Sequence, residues 1–231
     1  MSDPVRIALV GASGLVGGEI MRACLGREDV RLTAIGRRET PLPRGAKMEH
    51  FVAEPGNWGQ VIEAVRPTAV ISTLGTTWRK AGRDEAAFRS VDQDLVLAVA
   101  RAAKDFGVQR FVSISSVGAD SHARSFYLKV KGETDRDLAK VGFARLDVLR
   151  PGLLRGKRGG ERRPGERIAV AASPLVNPLL VGRWRVYRAI DASTVAKAAL
   201  YCALRPAPGR FVHDNEAITR AARSLPMPVT D

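Results

Sequence analysis

The sequence predicts an α/β protein with a doubly wound parallel sheet. Short apolar runs alternate along most of the chain with segments of helical periodicity. The runs are continuously apolar, as in strands that a parallel sheet buries on both faces. A length of 231 residues suits one such domain, and no repeat or linker divides it. We therefore expect a single domain over residues 1–231, in which residues 151–231 form a small C-terminal extension of a core over 1–150.

The first half of the chain holds four expected strands and three expected helices. Glycine follows the first apolar run directly, and β-branched residues fill the fourth run. In the third helix apolar residues recur every three or four positions, and Gly107 ends the pattern. These elements are the strands Val5–Val10, Val30–Ile35, Glu49–Ala53 and Thr68–Leu74 and the helices Leu15–Leu25, Asn57–Val65 and Asp84–Phe106.

The alternation of strands and helices continues in the second half of the chain and becomes less regular after residue 150. Pro151-Gly152 ends the sixth strand, and Asp191 is a capping candidate for the last long helix. Between them we expect a basic, glycine-rich loop over Leu153–Arg167 and a short helix over Ile168–Val181. The other expected elements are the strands Gln109–Ser115, Phe143–Arg150 and Arg210–His213 and the helices Phe126–Lys140, Asp191–Leu204 and Asn215–Arg223.

Three glycines link the first strand to the first helix. Gly11 would allow a tight turn, Gly14 would let the backbone approach a pyrophosphate, and Gly17 would let the helix pack closely on the strand. The free N–H groups at the start of the helix would then face negative charge. The spacing predicts a dinucleotide-binding site of Rossmann type, and an ordinary glycine-rich turn is the alternative.

Two arginines follow the second strand, where an NAD-specific site usually has an acid for the ribose 2′-hydroxyl. Arg37 and Arg38 suit a 2′-phosphate instead, because guanidinium groups form bidentate, charge-assisted bonds to phosphate. Arginines exposed to solvent with no ligand are the alternative. The pair favours NADP(H) over NAD.

A tyrosine and a lysine stand four residues apart in the helix expected after the fifth strand. Tyr127 and Lys131 would share one face, with Cβ atoms about 5–6 Å apart. A free phenol has a pKa of about 10 and is a poor base at neutral pH, but a neighbouring ammonium stabilises the phenolate. Ser115 and Ser116 end the preceding strand, and one of them could polarise a substrate carbonyl. A surface tyrosine beside an exposed lysine is the alternative.

These motifs form an ordered set that runs from residue 5 to about residue 205. They include Gly11-Ala-Ser-Gly14, Gly36-Arg-Arg38, Leu74-Gly-Thr-Thr77 with Lys80-Ala-Gly82, Val91-Asp-Gln-Asp94, Ser115-Ser116 with Gly118-Ala-Asp120, Tyr127 to Glu133, Arg150-Pro-Gly152 and Arg163-Pro-Gly165. The set resembles the atypical short-chain dehydrogenase/reductases, and most closely their small Tat-interacting-protein branch. No single motif is decisive, but the order of all of them is specific.

The resemblance implies a Rossmann core with bound NADPH. Larger relatives carry a substrate-binding lobe in the part that is short here after residue 152, which argues against a bulky nucleotide-sugar substrate. By resemblance, Ser13, Gly14, Leu15 and Val16 line the pyrophosphate, Arg37 and Arg38 the 2′-phosphate, and Leu74 and Gly75 the adenine side. Leu154 and Arg163 close over the nicotinamide half, Tyr127 and Lys131 fill the catalytic positions, and Ser116 is chosen over Ser115 as the family's serine.

The sequence thus predicts an NADPH-dependent oxidoreductase acting on a small carbonyl or alcohol. A second hypothesis is an NADPH-binding regulatory protein that acts through a protein partner without turnover, since fold alone does not decide function. Nucleic-acid binding is a weaker third reading. The net charge of +13 favours anionic partners, but the basic cluster over Arg150–Arg167 lacks interleaved aromatic residues.

The sequence gives no indication of a metal site, a membrane span or a signal peptide. The three histidines show no metal-ligand spacing, so we expect no metal site, and we expect the two cysteines to be free and buried. The apolar run Val5–Val10 is too short for a signal peptide or a membrane span. A cytoplasmic location is the resulting expectation.

Overall fold

The computed structural model describes residues 3–156, Gly182 and residues 187–228. In this part the strands are β1 Val5–Val10, β2 Val30–Gly36, β3 Glu49–Val52, β4 Ala69–Ser72, β5 Arg110–Ile114, β6 Arg145–Leu149, β7 Leu154–Arg155, β8 Ile190–Asp191 and β9 Gly209–His213. The α-helices are α1 Leu15–Ala23, α2 Trp58–Val65, α3 Glu85–Arg89, α4 Leu95–Asp105, α5 Phe126–Val141, α6 Ala192–Leu204 and α7 Asn215–Arg223.

Seven of the strands form one parallel sheet in the order β3-β2-β1-β4-β5-β6-β9. The first six follow the order of a Rossmann sheet, in which the chain leaves β1 in one direction and returns at β4 to continue in the other. The short strands β7 and β8 pair separately, also in parallel. The predicted doubly wound α/β fold is confirmed, and the ligand cleft of such a sheet lies at the carboxyl ends of β1 and β4.

Successive residues of each strand face opposite layers of helices. In β1, Leu9 packs with α1, α6 and α7 on one face, whereas Val10 packs with α2, α4 and α5 on the other. Both side chains are fully buried, and each burial of this size contributes about 1.5–3 kcal/mol. The two apolar layers pack on opposite faces of the sheet and fix the positions of the loops at its carboxyl edge.

Within the described residues the predicted elements agree with the observed ones apart from their ends, one interruption and the short strands β7 and β8, which were not predicted. The strand β7 lies at the start of the expected loop Leu153–Arg167. The helix expected over Asp84–Phe106 is divided by a π-helical turn at Ser90–Asp94, between α3 and α4. Apolar periodicity predicts the helix but not this turn, because one extra residue leaves the buried face nearly continuous. Cys24 and Cys202 are free and buried, as expected. The helix expected over Ile168–Val181 and most of the loop Leu153–Arg167 lie outside the described residues.

Candidate cofactor and active site

The glycine loop after β1 packs so closely on its neighbours that Gly11 and Gly17 leave no room for a side chain. Gly11 has φ +92°, and a Cβ there would lie 2.7 Å from Thr73 Oγ1. At Gly17 a Cβ would collide with the Gly11 carbonyl oxygen and lie 2.8 Å from the Ala12 Cα. The residue types at these two positions are therefore dictated by the loop itself.

The first turn of α1 faces the cleft without a side-chain cap. Gly14 is the N-cap residue, and no side chain of the described residues accepts a hydrogen bond from this turn, which also lacks an acidic residue. Ser13 and Gly14 are exposed, Leu15 is half-buried, and Val16 is buried in the core. Free N–H groups at a helix start bind phosphate oxygens readily, so this turn fits the pyrophosphate of a dinucleotide.

The loop after β4 is tied to the glycine loop. The Thr73 hydroxyl lies 2.9 Å from the Gly11 carbonyl oxygen and 3.1 Å from that of Val10, and it donates to them. Leu74, which comes next, packs against the apolar layer of α2 and α4. Gly75 is exposed at the cleft. The structure thus places Leu74 and Gly75 beside the glycine loop, as the predicted cofactor site requires.

Arg37 and Arg38 leave the end of β2 as exposed side chains, and no ion pair joins them to any described residue. His50, on the neighbouring strand β3, lies beside Gly36 at the end of β2. Its Nδ1 accepts a hydrogen bond from the Thr40 N–H at 3.4 Å, whereas its Nε2 is buried without a partner. A Cβ on Gly36 would lie 3.4 Å from that Nε2. Two free guanidiniums and an unpaired imidazole nitrogen make this the electropositive end of the cleft.

Tyr127 and Lys131 lie on the first two turns of α5, four residues apart. Lys131 is buried and forms an ion pair with Asp92, with 2.7 Å between Nζ and Oδ1. Burial by itself lowers the pKa of Lys131, but Asp92, Tyr127 and Asp135 together raise it above its ordinary value. The Tyr127 ring is half-exposed and packs edge-on against Phe88, with the centroids 5.6 Å apart. The pair therefore combines an accessible phenol with a charged, buried ammonium.

The two serines at the end of β5 have different surroundings. The Ser115 hydroxyl is buried and donates to Asp135 at 2.9 Å, and Asp135 also binds Arg150 at 2.8 Å. Burial raises the pKa of Asp135, against the opposing effect of Arg150. The Ser116 hydroxyl is half-exposed and makes only a 3.3 Å contact with the carbonyl oxygen of Val117 among the described residues. Ser115 is held in a buried network, and Ser116 is the more accessible of the two serines.

A tight contact holds the Ser116 loop against α5. A Cβ on Gly132, the residue after Lys131, would collide with the backbone of Asp120 and Ser121. The absence of that Cβ lets the loop lie directly on the helix. This packing explains why the motifs Gly118-Ala-Asp120 and Lys131-Gly-Glu133 occur together.

Asp92 is the residue of this site to which the sequence assigns no role. Its carboxylate is fully buried; Oδ1 faces Lys131, and Oδ2 accepts the Thr76 N–H at 2.7 Å. The sequence offered one sign of this role: Asp92 lies in a helix whose apolar periodicity predicts a buried face. Asp94, two positions later, is exposed. The π-helical turn sets this orientation, and it could not be predicted from spacing.

The segment after β6 borders the pyrophosphate side. Leu154 on β7 packs against the same apolar layer as Val16, and Gly156 lies against Leu15, since a Cβ there would be 2.8 Å from Leu15 Cδ1. Leu154 is thus near the glycine loop. Arg163, the other residue expected to close the cleft, lies outside the described residues.

Trp78 joins the aromatic cluster of Phe88, Phe126 and Tyr127 beside the site, whereas His122 lies on the exposed loop after Asp120. Trp78 packs against Phe126, with ring centroids 5.3 Å apart. His122 is almost fully exposed beside Asp120.

His213 belongs to a cluster that the sequence did not predict. It lies 2.8 Å from Asp147 Oδ1 and 3.8 Å from Cys202 Sγ. The ligand atoms of these three residues are close enough for a metal ion. However, Arg145 already binds both oxygens of Asp147, at 2.6 and 2.9 Å. A guanidinium this close repels a metal cation, so we interpret the cluster as a structural ion-pair network.

Three features of the cleft suit a bound dinucleotide. The glycine loop packs tightly on Thr73 and on the start of α1, the first turn of α1 offers N–H groups without a side-chain cap, and the end of β2 offers an orphaned buried nitrogen near two guanidiniums without ion-pair partners among the described residues. These features surround the switch point between β1 and β4, where open α/β sheets bind their ligands.

A sequence model of the NAD(P)H-binding family matches residues 11–172. The chain belongs to that family. Within it, the chain is an atypical short-chain dehydrogenase/reductase, as its motifs indicated.

Curated relatives are similar over most of the chain. The protein fmp52 of Aspergillus niger is 34% identical over 221 residues, which cover 92% of this chain and 93% of the fungal protein. FMP52 of Saccharomyces cerevisiae is 36% identical over 160 residues, or 68% and 69% of the two chains. Solved structures agree in fold: the UDP-glucose 4-epimerase of Thermotoga maritima matches with TM-score 0.68 at 13% identity, over 97% of this chain and 85% of the epimerase. WbmG of Bordetella bronchiseptica, solved with NAD, matches with TM-score 0.67 at 15% identity, over 99% and 81%.

The relatives contradict the cytoplasmic location expected from the sequence, because the fungal proteins are named as mitochondrial. That expectation rested on apolar runs, which test for secretory signals and membrane spans. Mitochondrial targeting segments are amphipathic and arginine-rich and escape such a test. Among the described residues no helix combines the length and the apolar character needed to cross a bilayer.

Proposed function

We propose that this protein is an NADPH-dependent oxidoreductase that interconverts a small carbonyl compound and its alcohol. One observation carries the proposal: Lys131 is buried and charged one helical turn from the accessible phenol of Tyr127, at the cofactor edge of the sheet. A buried charge of this kind is costly, and such groups concentrate in active sites. Ser116, on the loop held against α5, completes the set.

NADPH, when bound, supplies the hydride that reduces the carbonyl carbon. In that direction the Tyr127 hydroxyl gives its proton to the carbonyl oxygen, and the Ser116 hydroxyl donates a hydrogen bond to the same oxygen. The Lys131 ammonium stabilises the phenolate that is left until solvent returns the proton. In the direction of alcohol oxidation the same phenolate accepts the alcohol proton. Lys131 can also bind the ribose next to the nicotinamide, so that it serves both binding and proton transfer.

The preference for NADPH over NADH rests on Arg37 and Arg38. Both are exposed at the end of β2 and lack ion-pair partners among the described residues, and the residue that follows β2 directly is Arg37 rather than an acid. Guanidinium groups bind a phosphate dianion far better than a hydroxyl. We infer that the pair holds the 2′-phosphate of the adenosine half.

The substrate we propose is small. The epimerases that share this fold are larger: the chain covers 85% of the Thermotoga maritima epimerase, which was solved with UDP-glucose. The described residues after Gly152, which include α6, β9 and α7, pack on the central sheet and form no separate lobe. A simple aldehyde, ketone or alcohol fits this arrangement better. We also infer one domain over residues 1–231, since β9 from the C-terminal segment joins the central sheet.

Replacement of Tyr127 by Phe tests the proposal. Wild-type protein should oxidise NADPH in the presence of at least one member of a panel of small aldehydes and ketones, and Tyr127→Phe should lower that rate about 10²–10⁴-fold, the range typical of a lost general acid. The dissociation constant for NADPH, measured by fluorescence titration, should stay nearly the same. Tyr201→Phe, a change of the same kind on α6, serves as the control and should leave both quantities unchanged.

Two results would overturn the proposal. One is a Tyr127→Phe variant as active as wild type, which removes the assigned proton donor. The other is a wild-type protein that binds NADPH and oxidises it with no carbonyl compound of the panel. That second result would favour a regulatory protein whose NADPH-bound form contacts a protein partner, and pull-downs with and without NADPH would then be the next measurement.

A further inference from the structure

Four aromatic rings, one of them the Tyr127 phenol, pack together at the start of α5. Phe88, on α3, is fully buried and contacts the other three. Its ring centroid lies 5.6 Å from that of Tyr127, 5.9 Å from that of Phe126 and 6.2 Å from that of Trp78. The proposed proton donor therefore belongs to an aromatic cluster that includes a tryptophan from the loop after β4.

Trp78 is the member of this cluster that leaves the most surface open. The other three rings are buried or of intermediate exposure, whereas Trp78 is 36% exposed. Phe126 contacts Trp78 at 5.3 Å between ring centroids, and the Arg89 guanidinium lies over the Phe126 ring at 5.4 Å. Glu133 holds that guanidinium in an ion pair of 2.6 Å. Phe126 is thus covered by its neighbours, and the indole of Trp78 is the aromatic surface that this cluster leaves open to a ligand.

The backbone around Trp78 is tightly wound and lies beside the acid/base pair. The Arg83 N–H donates to the Trp78 carbonyl oxygen at 2.9 Å, and Arg83 has φ +61°, a left-handed conformation that is uncommon outside glycine. Three residues before Trp78, a Cβ on Gly75 would lie 3.6 Å from Lys131 Nζ. The loop therefore passes the lysine before it reaches the tryptophan, and it presents the indole at the side of the cleft where Tyr127 lies.

A second apolar side chain lies at the same edge of the sheet. The Val117 N–H donates to the Pro151 carbonyl oxygen at 2.9 Å, so the loop after β6 lies against the loop of Ser116. Leu153, two residues after Pro151, is 39% exposed. Because β5 stands between β4 and β6 in the sheet, the Ser116 loop lies between the loops of Trp78 and Leu153. The space in front of the serine is thus bordered by apolar side chains on both sides.

We propose that Trp78 determines substrate specificity and selects carbonyl compounds with a planar apolar group next to the carbonyl carbon, such as aromatic and α,β-unsaturated aldehydes and ketones. Aromatic rings attract one another in offset or edge-on arrangements by more than the area that they bury, whereas a saturated ring gains the area alone. The choice of substrate rests on the proposed oxidoreductase function. The preference of the indole for a planar ring does not, and it is tested separately.

The first test measures binding without turnover. Protein saturated with NADPH, which cannot oxidise an alcohol, is titrated by NMR with benzyl alcohol and with cyclohexylmethanol, which has the same number of carbon atoms but a puckered ring. The ratio of the two dissociation constants should shift toward cyclohexylmethanol by about 3- to 10-fold in Trp78→Leu. An unchanged ratio, or a wild-type protein that binds no benzyl alcohol, would overturn the proposal.

Two further variants separate recognition from loss of structure. Trp78→Phe keeps an aromatic ring and should retain most of the preference for benzyl alcohol. Phe106→Leu makes a similar change on a ring that is 40% exposed at the end of α4, and it should leave the ratio unchanged. If Trp78→Phe shifts the ratio as much as Trp78→Leu, the indole acts by its shape or packing and the assignment of ring stacking is wrong.

The second test measures selectivity in turnover. Wild type should reduce benzaldehyde with a higher kcat/KM relative to cyclohexanecarbaldehyde than Trp78→Leu does, by about 3- to 10-fold and mainly through KM. Tyr127→Phe should slow both aldehydes alike. If wild type reduces neither aldehyde, the proposed function fails while the binding ratios still decide the role of Trp78. If both are reduced and the kcat/KM ratio does not change in Trp78→Leu, the oxidoreductase stands and the specificity assigned to Trp78 is wrong.

Discussion

The two halves of the cleft are built in different ways. The half beside α1 consists of backbone: glycines packed against carbonyl groups, and free N–H groups at the start of a helix. The half beside α5 consists of side chains from three separate segments, with a charged pair at its centre. The first half should therefore respond to added volume and be indifferent to pH. The second should respond to the removal of single polar atoms and to pH.

Ser115 and Ser116 offer the sharpest contrast within the side-chain half. Ser116→Ala should lower kcat about 10²-fold, since it removes a donor to the substrate oxygen, and it should leave the free energy of unfolding nearly unchanged. Ser115→Ala should do the reverse: it leaves the buried Asp135 with one donor fewer and should cost about 1–2 kcal/mol of stability, with little change in kcat. Steady-state kinetics and urea unfolding of both variants check this. Exchanged phenotypes would mean that the assignment of the two serines is wrong.

The backbone half is tested by two neighbouring glycines of α1. Gly17→Ala places a methyl group against the Gly11 carbonyl oxygen and should cost about 1–3 kcal/mol of stability, with at least about a tenfold loss of NADPH affinity. Gly18→Ala has open space, since the nearest atom to its Cβ is 3.7 Å away on the flexible Arg22 side chain. It should stabilise the helix by up to about 1 kcal/mol and leave binding intact. Calorimetry and fluorescence titration measure both quantities, and equal behaviour of the two variants would contradict the close approach at Gly17.

Arg37 and Arg38 should produce the smallest effect, because they are exposed and act on one phosphate. The double change to Ala should weaken NADPH binding about tenfold, or about 1.4 kcal/mol, and should leave NADH binding almost unchanged. The loss should shrink in high salt, which screens exposed charges. Arg101→Ala, an exposed cation on α4, is the matched control. Equal weakening for NADPH and NADH would show that the pair does not contact the 2′-phosphate.

The backbone half could be predicted almost entirely from the sequence. The position of Gly11, Gly14 and Gly17 between an apolar run and an amphipathic segment specifies a strand, a turn and a helix, and each step is a local property of the chain. The order of the strands also follows from the alternation of elements, since right-handed crossovers leave few topologies for such a sheet. The sequence accordingly predicts seven strands and a doubly wound parallel sheet, and the structure adds their order.

The side-chain half could be predicted only in part. The four-residue spacing of Tyr127 and Lys131 places both on one face of a helix, which is again local. Asp92 reaches Lys131 through tertiary packing and a π-helical turn, and neither is recorded in the spacing of apolar residues. Ser116 was chosen over Ser115 by resemblance alone, because the bond that distinguishes the two, from Ser115 to Asp135, reaches another element. The cytoplasmic location predicted from the apolar runs was wrong, because mitochondrial targeting depends on amphipathic, arginine-rich segments and not on apolar runs.

The most direct test of the account follows an isotope from cofactor to product. Wild-type protein is incubated with a small aldehyde or ketone and NADPH that carries deuterium at the transferable position of its nicotinamide, and the alcohol is analysed by mass spectrometry. The account predicts one deuterium at the former carbonyl carbon with wild type, and a yield of labelled alcohol lower by about 10²-fold or more with Tyr127→Phe. A wild-type protein that binds the labelled NADPH and forms no labelled alcohol from any carbonyl compound tested, or a Tyr127→Phe variant that forms as much as wild type, would contradict it.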